Sequence, residues 1–89
     1  MISTRHAQAR CRQRAISNDA IDVLWDYGAV GHRHGADIFY LNRRGKDLAR
    51  RALGQRLYAR LEAQLDSYLV VSGEGLLITA GRRTRRMKF

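Results

Sequence analysis

The spacing of apolar side chains divides the chain into helical and extended stretches. Over residues 3–15, Ala7, Cys11 and Ala15 recur every fourth position among Gln and Arg, good helix formers all, which predicts a short first helix. Ser17 has the character of an N-cap, with Asp19 in the first turn and Ile16 and Ile21 at hydrophobic-staple spacing around it. The helix it opens is expected over about 18–27, with Ile21, Leu24 and Trp25 as its buried stripe and Gly28 at its end.

Gly31-His32-Arg33-His34-Gly35 reads as a loop leading into a β-type run, Asp37 to Leu41. Ala49, Leu53, Leu57, Leu61 and Leu65 then recur every four residues, so helix is expected from Arg44 to Leu65, broken or weakened at Gly54. Tyr68–Val71, a turn over 72–75 and Leu76–Ala80 form a β-hairpin. The resulting order, ααβα(α)ββ, is that of an α+β domain: N-terminal helices packed on an antiparallel sheet of three or more strands. With no proline, repeat or linker, the 89 residues are expected to form a single domain, 1–89, with a basic tail over about 82–89.

Charge changes the picture more than composition does. Seventeen Lys and Arg face eight Asp and Glu, giving +9, and fifteen of the cations are arginine. Guanidinium binds phosphate bidentately and stacks on bases, so the excess points to a polyanionic partner, with nucleic acid first among candidates and RNA ahead of DNA. No apolar run reaches the ~18 residues of a membrane span, and no apolar segment of signal-peptide type follows the first residues. Cys11 is the single cysteine. A reducing, cytoplasmic location without internal disulfides is therefore the expectation.

Candidate chemistry clusters with the arginines. On the first helix His6, Arg10 and Arg14 lie at i, i+4 and i+8, drifting only about 80° around the axis. One face thus carries an imidazole that moves protons near neutral pH and two guanidiniums that neutralise a phosphorane-like transition state. Arg43, Arg44, Arg50 and Arg51 on the long helical segment, and Arg82, Arg85 and Arg86 at the end of the chain, are candidate backbone contacts for nucleic acid. On an extended chain Arg83 and Arg85 point to the same side, as do Thr79 and Gly81, and side chains two apart suit the bracketing of a phosphate. His32 and His34 form a His-x-His pair, but no Cys or carboxylate stands at a recurrent ligand spacing, so no metal site and no cofactor are expected. Tyr27, Tyr40, Tyr58, Tyr68, Phe39 and Trp25 read first as core; Tyr40, beside the basic segment, is also a candidate base-stacking ring.

Two stretches carry a resemblance. His6-Ala7-x-x-Arg10 through Arg14-Ala15-Ile16-Ser17, with Ile21 and Tyr27-Gly28, opens the pattern; Tyr68-x-Val70-Val71-Ser72 and Ile78-Thr79-x-Gly81-x-Arg83 close it. Together they resemble a family of small bacterial domains of unknown function grouped with ribonuclease toxins of the RelE and barnase-like kind. The resemblance implies an α+β fold, RNA cleavage without metal, and convergence of His6 and Arg14 with Thr79 and Arg83 on one pocket. The family pattern has a histidine near position 82, where this chain has Arg82.

The first expectation is therefore a toxin-like, metal-independent endoribonuclease. His6 serves as acid or base, Arg14 and Arg83 stabilise the phosphorane, Thr79 hydrogen-bonds the substrate, and an acidic antitoxin-like protein is a possible partner. The alternatives are a nucleic-acid-binding protein of phage or mobile-element type without catalysis, and an interaction protein that meets an acidic partner. Composition leaves the oligomeric state open.

Overall fold

The computed structural model of the protein describes residues 2–83. Its elements are α1 (Arg5–Gln13), α2 (Asn18–Tyr27), β1 (Ala29–Arg33), β2 (Ala36–Tyr40), α3 (Arg43–Leu53), α4 (Gln55–Leu61), a 3₁₀ turn (Glu62–Gln64), β3 (Ser67–Ser72) and β4 (Leu77–Arg82). The α+β class is as expected. The sheet is four-stranded and antiparallel, in the order β1-β2-β3-β4.

Each of the first three helices starts where a short polar side chain takes up a free backbone N–H. Thr4 Oγ1 accepts from Ala7 N, Ser17 Oγ from Ala20 N, and Asn42 Oδ1 from Gly45 N. Ile16 and Ile21 are both buried in the core, as the staple requires. The long apolar periodicity breaks at Gly54, whose φ of +82° suits glycine; its N–H closes α3 on Arg50 O, and its carbonyl opens α4 by accepting from Tyr58 N.

One strand departs from expectation. Residues 29–33, read in large part as loop, pair along their length with β2. The turn between them is two residues, with positive φ at both His34 (51°) and Gly35 (76°), the geometry that Asn-Gly usually supplies. β1 escapes the apolar-run criterion because it is an edge strand: only Gly31 is buried along it, and Val30, His32 and Arg33 are exposed.

The helices cover one face of the sheet. Along β3, Ser67, Leu69 and Val71 are buried while Tyr68, Val70 and Ser72 alternate to the other side. Leu69 and Val71 join Leu77 and Ala80 of β4, Ala7 and Cys11 of α1, Ala20, Val23 and Leu24 of α2, and Tyr58, Leu61 and Leu65 in one core cluster. Trp25, expected in the buried stripe of α2, is 40% exposed and stacks on Phe39 with ring centroids 4.6 Å apart. The opposite face carries the register pairs Tyr40–Tyr68, Ile38–Val70 and Val70–Thr79. Among the described residues no helix is long and apolar enough to cross a membrane.

Candidate functional site

α1 packs against β4, the last strand of the sheet. Residues 2–4 fasten that contact: Leu77 N donates to Ile2 O, Thr4 N donates to Leu77 O, and Thr4 Oγ1 donates to Ile78 O at 3.1 Å. With Ala7 and Cys11 turned into the core, the helical period carries His6, Arg10 and Arg14 along the outer edge of β4. There they line a cleft of about 330 Å³ together with Tyr68, Thr79, Ala80, Gly81 and Arg82.

Three guanidiniums and an imidazole thus share one concavity that no carboxylate lines among the described residues. The ion pairs of the described residues lie elsewhere, at His32–Asp37 (2.5 Å), Lys46–Asp66 (3.1 Å) and Arg50–Asp47 (3.5 Å). Cations held close together without a counter-charge create the kind of positive potential that an anion relieves. Arg82 is the best anchored of the three, its Nη1 donating to Ala63 O at 3.0 Å.

Tyr68 enters the cleft because Gly81 has no side chain. The two residues face each other across β3 and β4, and a Cβ at position 81 would lie 2.6 Å from the Tyr68 hydroxyl oxygen and 2.8 Å from its Cζ. The phenol therefore lies across β4, over the glycine, and its tip reaches the arginine-lined edge. The sequence assigns Tyr68 to the core; in the structure it is half-buried and lines the cleft.

Of the residues singled out in the sequence, His6, Arg10, Arg14, Thr79 and Arg82 come together here. Arg83 does not line the cleft. It follows the last strand, donates Nη1 to Leu41 O at 2.8 Å and stands over the Tyr40 ring at 5.3 Å, while its backbone N donates to Asp66 O at 2.7 Å. These contacts tie the end of β4 to the segment after β2, a structural role. Arg43, Arg44, Arg50 and Arg51 are exposed on α3, which packs on α2 and α4 rather than beside the cleft. Arg50 lies over the Tyr58 ring at 5.1 Å. Arg85 and Arg86 lie outside the described residues.

A larger cavity, about 550 Å³, opens on the other side of α1, where Cys11, Ile16, Ile21 and Leu77 form an apolar floor and Arg12 supplies the one charge among its described lining residues. It lacks the convergence of proton-transfer and anion-binding groups found beside β4. Burial pushes the Cys11 thiol above its ordinary value of 9.0, away from the thiolate that a nucleophile needs. No group of three or more His, Cys, Asp or Glu able to hold a metal ion occurs among the described residues.

The fold and cleft define a class: a small α+β domain with a cationic cleft at the edge of an antiparallel sheet. Comparison of the chain with family models, curated proteins and solved structures finds no match.

Proposed function

We propose that the protein is a toxin-like endoribonuclease that cleaves RNA without a metal ion. The observation that supports this reading is the common cleft of His6, Arg10, Arg14, Thr79 and Arg82, in which the one proton-transfer group of the α1 face adjoins three phosphate-binding groups. His6 takes the proton from a ribose 2′-hydroxyl. The 2′-oxygen attacks the adjacent phosphorus, the bond to the 5′-oxygen breaks, and that oxygen is protonated from solvent. Arg10, Arg14 and Arg82 hold the non-bridging oxygens as charge builds on them, and Thr79 hydrogen-bonds the phosphate. The products are a 2′,3′-cyclic phosphate and a free 5′-hydroxyl. Such an enzyme suits neutralisation by an acidic partner protein that covers the cleft.

Position 82 favours a second reading. Arginine there stabilises charge but does not exchange protons at neutral pH, which leaves His6 without a second imidazole across the cleft. A protein that binds RNA in the same cleft without cleaving it is the reading this substitution favours.

The two are separated by incubating wild type and His6→Ala with end-labelled RNA in EDTA. Discrete fragments with 2′,3′-cyclic ends from wild type alone support the enzyme. Intact RNA, with a salt-sensitive gel shift given by both proteins, refutes cleavage and leaves the binder.

A further inference from the structure

α1 is held to the rest of the molecule by little apolar surface. Its buried residues are Ala7 and Cys11, both small, and β4 is the element it packs against; no other element meets it to a comparable extent. A helix with so slight an apolar grip takes its setting from directional polar contacts.

Those contacts converge on Thr4. Its backbone N donates to Leu77 O, and its hydroxyl does two things at once. It accepts from Ala7 N at 3.0 Å, which caps α1, and it donates to Ile78 O at 3.1 Å, which ties the cap to β4. The carbonyl that receives it belongs to an irregular point of the strand. Val70 faces Thr79 and Val71 faces Leu77, so Ile78 is the extra residue of a β-bulge and has no partner in register. On both sides of this bond the chain runs directly into the cleft. His6 is two residues beyond Thr4, and Thr79 is the residue after Ile78. The helix wall of the cleft (His6, Arg10, Arg14) and its strand wall (Thr79, Gly81, Arg82) are thus joined by one side-chain hydroxyl.

We propose that Thr4 is a positioning residue of the cleft, setting α1 against β4 so that the guanidiniums of both walls reach one phosphate. It does not line the cleft and acts through the residues that do. The role rests on the cleft's being a phosphate site. Arg10 and Arg14 on one wall and Arg82 on the other repel each other, and no carboxylate stands between them among the described lining residues. Without the bridge to Ile78 that repulsion moves α1 away from the strand, and the cations no longer converge.

The test uses the full chain and inorganic phosphate, titrated at low ionic strength. Binding is followed by the nuclear magnetic resonance shifts of the Thr79 and Gly81 amides and of the His6 ring. Thr4→Ser keeps both the cap and the bridge. Thr4→Gly keeps a good N-cap and loses the bridge, and Thr4→Val keeps the shape and loses both. Wild type and Thr4→Ser are expected to bind alike. Thr4→Gly and Thr4→Val are expected to bind roughly three- to tenfold more weakly, the worth of one net hydrogen bond. The dissociation constant is read from resonances of the folded state, so a change in the folded fraction does not move it. Thr4→Gly binding as tightly as wild type overturns the proposal, because the cap alone then suffices. Thr4→Ser binding as weakly as Thr4→Val overturns it as well. Wild-type resonances that ignore phosphate overturn the phosphate site itself, and the role of Thr4 with it; a wild type that binds beside an unaffected Thr4→Gly overturns the role alone.

Discussion

The placement of Tyr68 makes a prediction about Gly81 that can be worked through. Gly81 does not need glycine for its backbone, since its φ is not in the positive region; the glycines with positive φ are Gly35, Gly54 and Gly75. It needs glycine for space. An alanine Cβ there meets the Tyr68 hydroxyl oxygen at 2.6 Å, Cζ at 2.8 Å and Cε1 at 3.0 Å, where ordinary contact begins near 3.4 Å. The end of the phenol must withdraw by about 0.8 Å, the difference between the hydroxyl distance and ordinary contact. Overpacking of this kind costs roughly 1–3 kcal/mol. Against it, alanine is favoured over glycine in a strand and in the unfolded chain by about 0.5–1 kcal/mol. Gly81→Ala should therefore destabilise the protein by about 1 kcal/mol net. With Tyr68→Ala already in place the clash is gone and only the favourable part remains, so the same substitution should stabilise by about 0.5–1 kcal/mol. The assay is equilibrium urea unfolding of wild type, the two single variants and the double variant. The coupling appears as a change of sign. If Gly81→Ala has the same sign and size in both backgrounds, the phenol does not rest on that glycine and its reach into the cleft is wrongly explained.

Other residues give sharper or simpler outcomes. Burial raises the pKa of Cys11, so its thiol should react slowly with a disulfide reagent near pH 8 and at the rate of a free thiol once the protein is unfolded. Because the folded pKa lies above the unfolded one, the folded state holds this proton more tightly; the stability linked to Cys11 should fall as pH rises from 9.0 through the folded value, and a Cys11→Ala variant should lose that part of the pH dependence. Ser67 is fully buried and its Oγ has no hydrogen-bond partner among the described residues. Ser67→Ala removes an unsatisfied hydroxyl and should leave urea stability unchanged or raise it by up to ~1 kcal/mol, whereas a loss of more than ~1 kcal/mol would mean that the hydroxyl is bonded.

Local rules in the sequence carry most of the architecture. Ser17 with its staple, Gly54 as a break, and the hairpin around 72–75 are signals read within a few residues, and each acts in the structure by the expected contact. β1 is hidden for the same reason. Its sequence is rich in glycine, histidine and arginine, and its pairing with β2 rests on a His34-Gly35 turn that propensity does not favour at the first position. An edge strand with one buried residue gives no apolar alternation to detect. Trp25 is misplaced by the helical pattern because period assigns a face and not a depth: the ring stacks on Phe39 of β2 and stays 40% exposed.

The cleft divides along a similar line. Helical period alone groups His6, Arg10 and Arg14, and strand alternation alone links Thr79 to Gly81; these relations survive in the structure because they depend on one element each. What period cannot supply is the register between elements. Tyr68 belongs to the cleft only because β3 sets it opposite Gly81, and a lone glycine inside a strand pattern is the trace that this leaves in the sequence. Arg83 illustrates the converse. By sequence it is equivalent to Arg82, one residue away, yet the strand ends between them: Arg82 still projects beside α1, and Arg83 turns to the carbonyl of Leu41 and the ring of Tyr40. A run of arginines thus divides its labour at the last strand residue. Arg82 adds charge to the cleft, and Arg83 holds in place the strand that carries it.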